Sequence, residues 1–317
     1  MAANQQKAVS DFLQTKGPIA QLIREPSALG YRRLLLSGYK AGFFSSKDVF
    51  VHLWPARFSF GMKKKYLRRY DEFMERQIHV ELSEYLSPDG DLNLLGRPFR
   101  ARQYVGAIKL IDQVVARDQY HARKFIRDGF TIIDAGANIG TFSVLAATLA
   151  PNGEVFAFEP AGGTFPLLER NASPYQNIHC FNAGLADHAG EKEIFDTGLG
   201  GTASVISDSP IYASATKHVE GAIETVLVTT IDNFVEENGI ARLDFLKIDT
   251  EGYEAKILRG GQATIKRYRP VIAMSAYHAP NDKAELPNLL RSICSDYVCE
   301  LSNGAEEDLI CFATGQD

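Results

Sequence analysis

Apolar positions along the chain fall into two regimes. Up to about residue 100 they recur at helical spacing, as in Val9, Phe12 and Leu13, then Ile19, Leu22 and Ile23. Turn signals at Lys16-Gly17-Pro18 and Ser87-Pro88-Asp89-Gly90 interrupt this stretch. Residues 1–100 therefore read as a mainly helical region with no assignable role. From residue 101 the pattern alternates between helix and strand. A helix is predicted over Ala107 to Arg127. The strand FTIIDAG, the helix IGTFSVLAATLA, the strand GEVFAFEP, the helix FPLLERNASPY and the strand NIHCFNAGL follow. Later come LDFLKID (strand), YEAKILRGGQATIKRY (helix) and RPVIAMSA (strand), and DYVCEL with DLICFAT reads as a closing hairpin. Short β-rich runs interleaved with helices predict an α/β domain over 101–317, a doubly wound and mainly parallel sheet. Such sheets bind ligands beyond the C-terminal ends of their strands.

The first of those ends reads DAGANIG. Gly136 suits a tight turn, and Gly140 suits a close backbone approach. A dinucleotide fingerprint would place glycine where this chain has Asn138 and Thr141. The loop is therefore poorly matched to a pyrophosphate. Asp134 would repel a phosphate and suit a cationic ligand such as S-adenosylmethionine. Glu159 ends the next strand, 25 residues on, where an acid can accept ribose hydroxyls. Asn182-Ala183 ends the third strand, at the expected adenine edge.

A second seam, LKIDTEGYEAKILRGG, places Asp249 and Glu251 between strand and helix, with Gly252 directly after. Asp249 can be an N-cap or a catalytic base. Glu251 can be a helix-dipole partner or orient an acceptor. His278 follows the fifth strand and suits proton transfer near neutrality, or is an ordinary surface or core histidine. Asp249, Glu251, His278 and Asp282 are also of the types that bind divalent ions, but their spacing is not diagnostic, and a metal is not favoured.

Composition narrows the function classes. A net charge of −5 and a pI of about 5.9 argue against a nucleic-acid partner. One local exception is RFSFGMKKKYLRRY at 57–70, which suits contact with an anionic membrane surface or nucleic acid, or a solvated helix with its aromatics inward. The four cysteines show no CxxC pair, which predicts scattered thiols of a reducing compartment rather than a disulfide framework or a zinc site. No apolar run reaches the ~18 residues of a membrane span, and the first residues lack a signal peptide's apolar middle. A soluble, cytoplasmic protein is expected. Residues 190–228 form an insertion before the fourth strand. Its GLGGTASV stretch reads as a surface loop or as a lid using Thr202 or Ser204.

These residues resemble the FkbM family of class I S-adenosylmethionine-dependent methyltransferases. The resemblance spans roughly residues 115–315. It rests on IDAGANIGTFS, FEP at 158–160, TTIDNF at 229–234 and, above all, LKIDTEGYEAKILRGG. AYHAPND at 276–282 is similar to a branch of the family with Tyr-His and a nearby Asp. One departure is Ser275, where many members carry Glu. The resemblance implies a seven-stranded Rossmann-like sheet with an antiparallel last strand. It implies cofactor contacts at Asp134, Gly136, Asn138, Gly140, Thr141, Glu159, Pro160, Asn182 and Ala183. It implies methyl transfer to a hydroxyl of a sugar or natural-product-like acceptor, with Asp249 or His278 as base and Glu251 orienting. The alternatives are transfer to a carboxylate, a catalytically silent cofactor-binding module, or a nicotinamide-dependent dehydrogenase, which Asn138 disfavours.

Overall fold

A computed structural model describes residues 92–95, 97–101, 107, 110–196, 205, 206, 209, 222–302 and 308–314. The expected helices before residue 92, the basic-aromatic stretch at 57–70, and Thr202 and Ser204 lie outside the described residues. The chain forms two compact units, Met1–Phe99 with Gln103–Asp112, and Arg100–Arg102 with Gln113–Asp317. Within the first unit, β1 (Leu92–Leu94) and β2 (Arg97–Phe99) pair as an antiparallel hairpin.

The second unit holds a seven-stranded sheet. Its strands are β3 (Thr131–Ala135), β4 (Glu154–Phe158), β5 (Ile178–Phe181), β10 (Phe245–Ile248), β11 (Val271–Ser275), β12 (Tyr297–Leu301) and β13 (Asp308–Ala313). They lie in the order β12-β13-β11-β10-β3-β4-β5. All pairings from β11 to β5 are parallel, and β13 runs antiparallel to both its neighbours. The order reverses between β3 and β10, which opens a cleft at their C-terminal ends. Both strands are buried throughout, because helices cover both faces of a parallel sheet. Phe156, Phe158, Phe181 and Phe234 stack and cross edge-to-face on one side of it, with centroids 4.8–6.4 Å apart.

Two local expectations change. The helix expected over 107–127 is broken into a π-helical turn, Ile111–Ala116, and α1 (Ala122–Phe125). Asp118 and His121 between them take left-handed backbone conformations. The Asp118 carboxylate accepts from Arg123 N at 3.1 Å, which starts the second piece. This break turns Tyr120 into the interior. The helix expected from Tyr253 to Tyr268 is also two: α5 (Glu254–Gly260) and α6 (Gln262–Tyr268). Asp232, on α4 (Ile231–Glu237), caps α6 by accepting from Ala263 N and Thr264 N at 3.0 and 2.8 Å. A Cβ at Gly260 would lie 1.9 Å from the Ala186 carbonyl oxygen, so only glycine lets α5 seat there. Gly260→Ala is expected to lower stability by about 1–3 kcal/mol, the usual cost of overpacking, as a reduced midpoint in urea unfolding.

The 190–228 insertion contributes to a second sheet, and its GLGGTASV stretch lies outside the described residues but for Val205. β6 (Gly184–Leu185), β7 (Gly190–Asp196), β8 (Val205–Ile206) and β9 (Ala222–Thr229) lie in the order β6-β9-β7-β8.

The cysteine expectation is corrected as well. Cys299 and Cys311 face each other across β12 and β13 and are joined in a disulfide, while Cys180 and Cys294 are free. The pair lies 12 positions apart in sequence. Only the register of the closing hairpin brings them together. Among the described residues no helix is long and apolar enough to cross a membrane.

Candidate functional site

The loop between β3 and α2 (Thr141–Leu149) is built from alternating left-handed residues, Gly136, Asn138 and Gly140. A Cβ at Gly136 would stand 2.0 Å from the Asp249 carbonyl oxygen, so the ends of β3 and β10 meet only through this glycine. Gly136 N and Ala137 N donate to the Phe158 carbonyl, which ties the loop to β4. Glu159 completes the tie. One carboxylate oxygen accepts from Asn138 N and the other from Ala161 N, both at 2.9 Å. With only 7% of its surface exposed, Glu159 is raised to about 7 by burial, partly opposed by those two N–H groups. The Asn182 amide donates to the carbonyls of Glu159 and Pro160. It therefore shapes the rim, and its neighbour Ala183 is partly open. Thr141 sits in the first turn of α2, and its buried hydroxyl has no hydrogen-bond partner.

Asp134 departs from its expected place. It is 0% exposed and offers no surface to a ligand. Lys247 Nζ lies 3.0 Å from one of its oxygens, and Ser143 Oγ donates to the other at 2.6 Å. The same ammonium donates to the carbonyls of Gly136 and Ala135, at 2.7 and 3.3 Å. Asp134 therefore braces the loop from beneath, through Lys247, and does not meet a cationic ligand directly. A buried acid needs a partner, and the parallel register of β3 with β10 sets Lys247 beside it.

At the end of β10 the structure gathers Asp249, Glu251, Glu254 and His278. Tyr120 Oη donates to one Asp249 oxygen at 2.7 Å. Glu251 and Gly252 both have positive φ, 53° and 91°, and the Glu251 carbonyl accepts from Ser209 Oγ. A left-handed glutamate stores backbone strain, which the surrounding contacts hold in place. Glu254 is buried, and its Oε1 accepts from Thr250 N, Thr250 Oγ and Gly252 N. His278 Nδ1 is 3.0 Å from the same oxygen. This contact fixes the imidazole so that Nε2 points to Glu251 Oε2 at 3.4 Å and Asp249 Oδ1 at 3.9 Å. Burial works to lower the imidazole pKa. The bond and charge of Glu254, then the charges of Glu251 and Asp249, outweigh it and raise His278 to about 9. Burial raises the Glu251 carboxyl, as do Asp249 and Glu254, against the imidazole.

Asp282 does not join this group. Its Oδ2 accepts from Ala279 N at 2.6 Å and secures the loop that carries His278 ahead of α7 (Asp282–Ile293). Ser275, where a glutamate was expected, donates to Asp308 at 3.1 Å, so the neighbouring antiparallel strand supplies the carboxylate. Sequence reasoning missed Tyr120, Lys247, Glu254 and Ser209. Lys247 and Glu254 were present in the KIDTEGYE motif, as charged residues in otherwise buried runs. Tyr120 and Ser209 left no signal, because only the chain path brings them to the cleft.

Comparison with known proteins bears on this geometry. The methyltransferase FkbM domain family matches residues 134–299, just over half of the chain. A hexuronic acid methyltransferase, AglP, from Haloferax volcanii is 29% identical over 160 residues, covering 50% of this chain and 59% of the relative. The 31-O-demethyl-FK506 methyltransferase FkbM from Streptomyces tacrolimicus is 31% identical over 173 residues, covering 47% of this chain and 66% of the relative. The chain thus spans about three-fifths to two-thirds of the length of these curated relatives. The crystal structure of a methyltransferase FkbM from Methylobacillus flagellatus KT aligns over 76% of this chain and 60% of that one, at 17% identity and a TM-score of 0.43. The family match runs from the acid beneath the glycine loop through the acid–histidine cluster to the closing hairpin, and the chain belongs to the FkbM methyltransferase domain family.

Proposed function

We propose that the chain is an S-adenosylmethionine-dependent O-methyltransferase acting on a hydroxyl of a sugar or natural-product-like small molecule. The observation that carries this reading is the contact of the two strand ends. The Glu159-tied glycine loop and the Tyr120-held Asp249 meet at Gly136. S-adenosylmethionine, when bound, supplies a methyl carbon already activated by its sulfonium. Glu159, anchored by backbone N–H groups, accepts the ribose hydroxyls. Backbone at Gly136 and Asn138 lines the loop, and the unpartnered Thr141 hydroxyl offers a polar contact below it. Pro160, Asn182 and Ala183 form the adenine edge. The polarity of these groups fits the cofactor, and no phosphate cradle is needed.

Asp249 is the group that accepts the proton of the acceptor hydroxyl. His278, held at Nδ1 by Glu254, faces the carboxylates and positions them rather than taking the proton. Glu251 orients the acceptor, on a backbone whose conformation fixes its direction. Much of the remaining rate comes from alignment, which contributes up to ~7–11 kcal/mol in well-oriented systems. The Haloferax and Streptomyces relatives are named for a hexuronic acid and for 31-O-demethyl-FK506, which supports this substrate class.

Calorimetry with S-adenosylmethionine and S-adenosylhomocysteine tests the first step, and absence of binding overturns the reading. Transfer of a labelled methyl group into a panel of sugar and macrolide hydroxyls excludes a silent module. A pH prediction follows from Glu159. Below about pH 7 its carboxyl is protonated and is a poorer acceptor. Ribose hydroxyls favour the ionised form, so S-adenosylhomocysteine affinity is expected to rise several-fold between pH 6 and 8. Binding below pH 7 should release a proton, measurable in buffers of different ionisation enthalpy. Glu159→Gln should flatten the profile.

A further inference from the structure

We propose that Asp249, Glu251 and His278 form a binding site for one divalent cation, and that Glu254 orients the imidazole toward it. The inference begins with His278. Its side chain is 3% exposed, and its Nε2 has no hydrogen-bond partner although it points between two carboxylates. A buried ring nitrogen aimed into carboxylates without a hydrogen bond is costly unless something else sits there. The other ring nitrogen is held by the buried Glu254. That is the carboxylate–histidine–metal relay, in which an outer acid fixes the ring so that its free nitrogen faces the ion.

Distances agree. Metal–ligand bonds of about 2.0–2.2 Å place adjacent ligand atoms about 3.0–3.5 Å apart. Nε2 lies 3.4 Å from Glu251 Oε2 and 3.9 Å from Asp249 Oδ1. Nε2 is therefore close enough to each carboxylate to share a cation with it. Ligating atoms of Asp249, Glu254 and His278 also lie within 4.8 Å of one another. Glu254 is nonetheless better placed as the outer acid, because its Oε1 already holds Thr250, Gly252 and His278.

Charge points the same way. Three carboxylates converge on one imidazole. The Lys247 ammonium is committed to Asp134 and two carbonyls. A divalent ion supplies the missing positive charge. Two hard oxygens and one imidazole suit Mn²⁺, Fe²⁺ or Zn²⁺, and leave positions open. Asp249 and Glu251 are each about a quarter exposed, so those positions face the cleft.

The role of the ion deepens the methyltransferase reading and rests on it. An acceptor hydroxyl that takes an open position is polarised; its proton passes to Asp249 Oδ2, the oxygen turned from the ion, as its oxygen bonds the methyl carbon and the carbon–sulfur bond breaks. That selects acceptors with an oxygen able to ligate, such as a sugar or a polyol with neighbouring hydroxyls.

The full chain, stripped with EDTA, is titrated with Mn²⁺ and followed by electron paramagnetic resonance and calorimetry. One Mn²⁺ per chain is expected, with pulsed spectra showing coupling to an imidazole nitrogen. Glu251→Gln and His278→Ala should each weaken Mn²⁺ at least tenfold, and Glu254→Gln by ~10–100-fold. The exposed Glu285→Gln should bind as wild type. S-adenosylhomocysteine titration reports that each variant is folded. No stoichiometric Mn²⁺ on the intact chain, or binding without nitrogen coupling, overturns the site. Because the wild-type spectrum decides this, a variant that fails to fold does not rescue the idea. S-adenosylhomocysteine binding without Mn²⁺ sinks the cation and leaves the methyltransferase reading standing. The converse result sinks that reading and leaves the cation site.

Discussion

Asp249→Asn is expected to reduce methyl transfer by about 10²–10⁴-fold while S-adenosylhomocysteine affinity stays within about threefold. Asparagine keeps the shape of the side chain and can still accept from Tyr120, so the end of β10 retains its path. The Asp249 carbonyl that meets Gly136 is backbone and does not change. What disappears is the anionic acceptor for the hydroxyl proton. Single-turnover rates with labelled cofactor, beside calorimetry on the same preparation, separate chemistry from binding. A tenfold or smaller loss would show that the proton leaves by another route. A parallel loss of cofactor affinity would show that Asp249 holds the loop rather than the acceptor.

Lys247→Met is expected to cost about 3–5 kcal/mol of stability, the usual penalty for breaking a buried pair and leaving one charge behind. Asp134 has no exposure, and Ser143 donates to its other carboxylate oxygen. The change also removes two donors from the carbonyls that shape the glycine loop. Urea unfolding measures the cost. In the double variant Asp134→Asn with Lys247→Met, no charge is left buried, and about half or more of the loss should return. A single-variant cost under ~1 kcal/mol would mean that Asp134 does not rely on Lys247. Both outcomes bear on function, because the loop that Lys247 braces is the one that Glu159 ties to β4.

Much of this architecture was legible from pattern alone. A run such as TIIDA or FLKI is apolar at every position because a parallel strand between two helical layers has no solvated face. DAGANIG announced its turn through Gly136 and Gly140, and KIDTEG announced a seam through Asp249, Glu251 and Gly252. The strand count and the antiparallel last strand followed from the resemblance that those motifs carry. The family itself was legible for the same reason, since its motifs are contiguous and each reports a local backbone demand.

Partnerships across the fold were not legible. Local pattern says that Asp134 is a strand residue, but only the β3–β10 register sets Lys247 against it and turns an expected ligand contact into a brace. Cys299 and Cys311 look like scattered thiols until the hairpin register opposes them. In the 190–228 insertion the pairing of β7 with β9 left no contiguous motif, because the partners lie far apart in sequence. His278, Glu254 and Tyr120 come from three separate stretches of chain, and each alone has an ordinary reading. Their convergence at Asp249 depends on long-range packing, whose information is spread over the whole core and sits in no single motif. By itself, the sequence determined the layers, the glycine loop and the family. Tertiary structure alone decided which acid is braced, which is held by a tyrosine, and which faces a histidine. Secondary structure answers to neighbours along the chain, and charge pairing answers to neighbours in space.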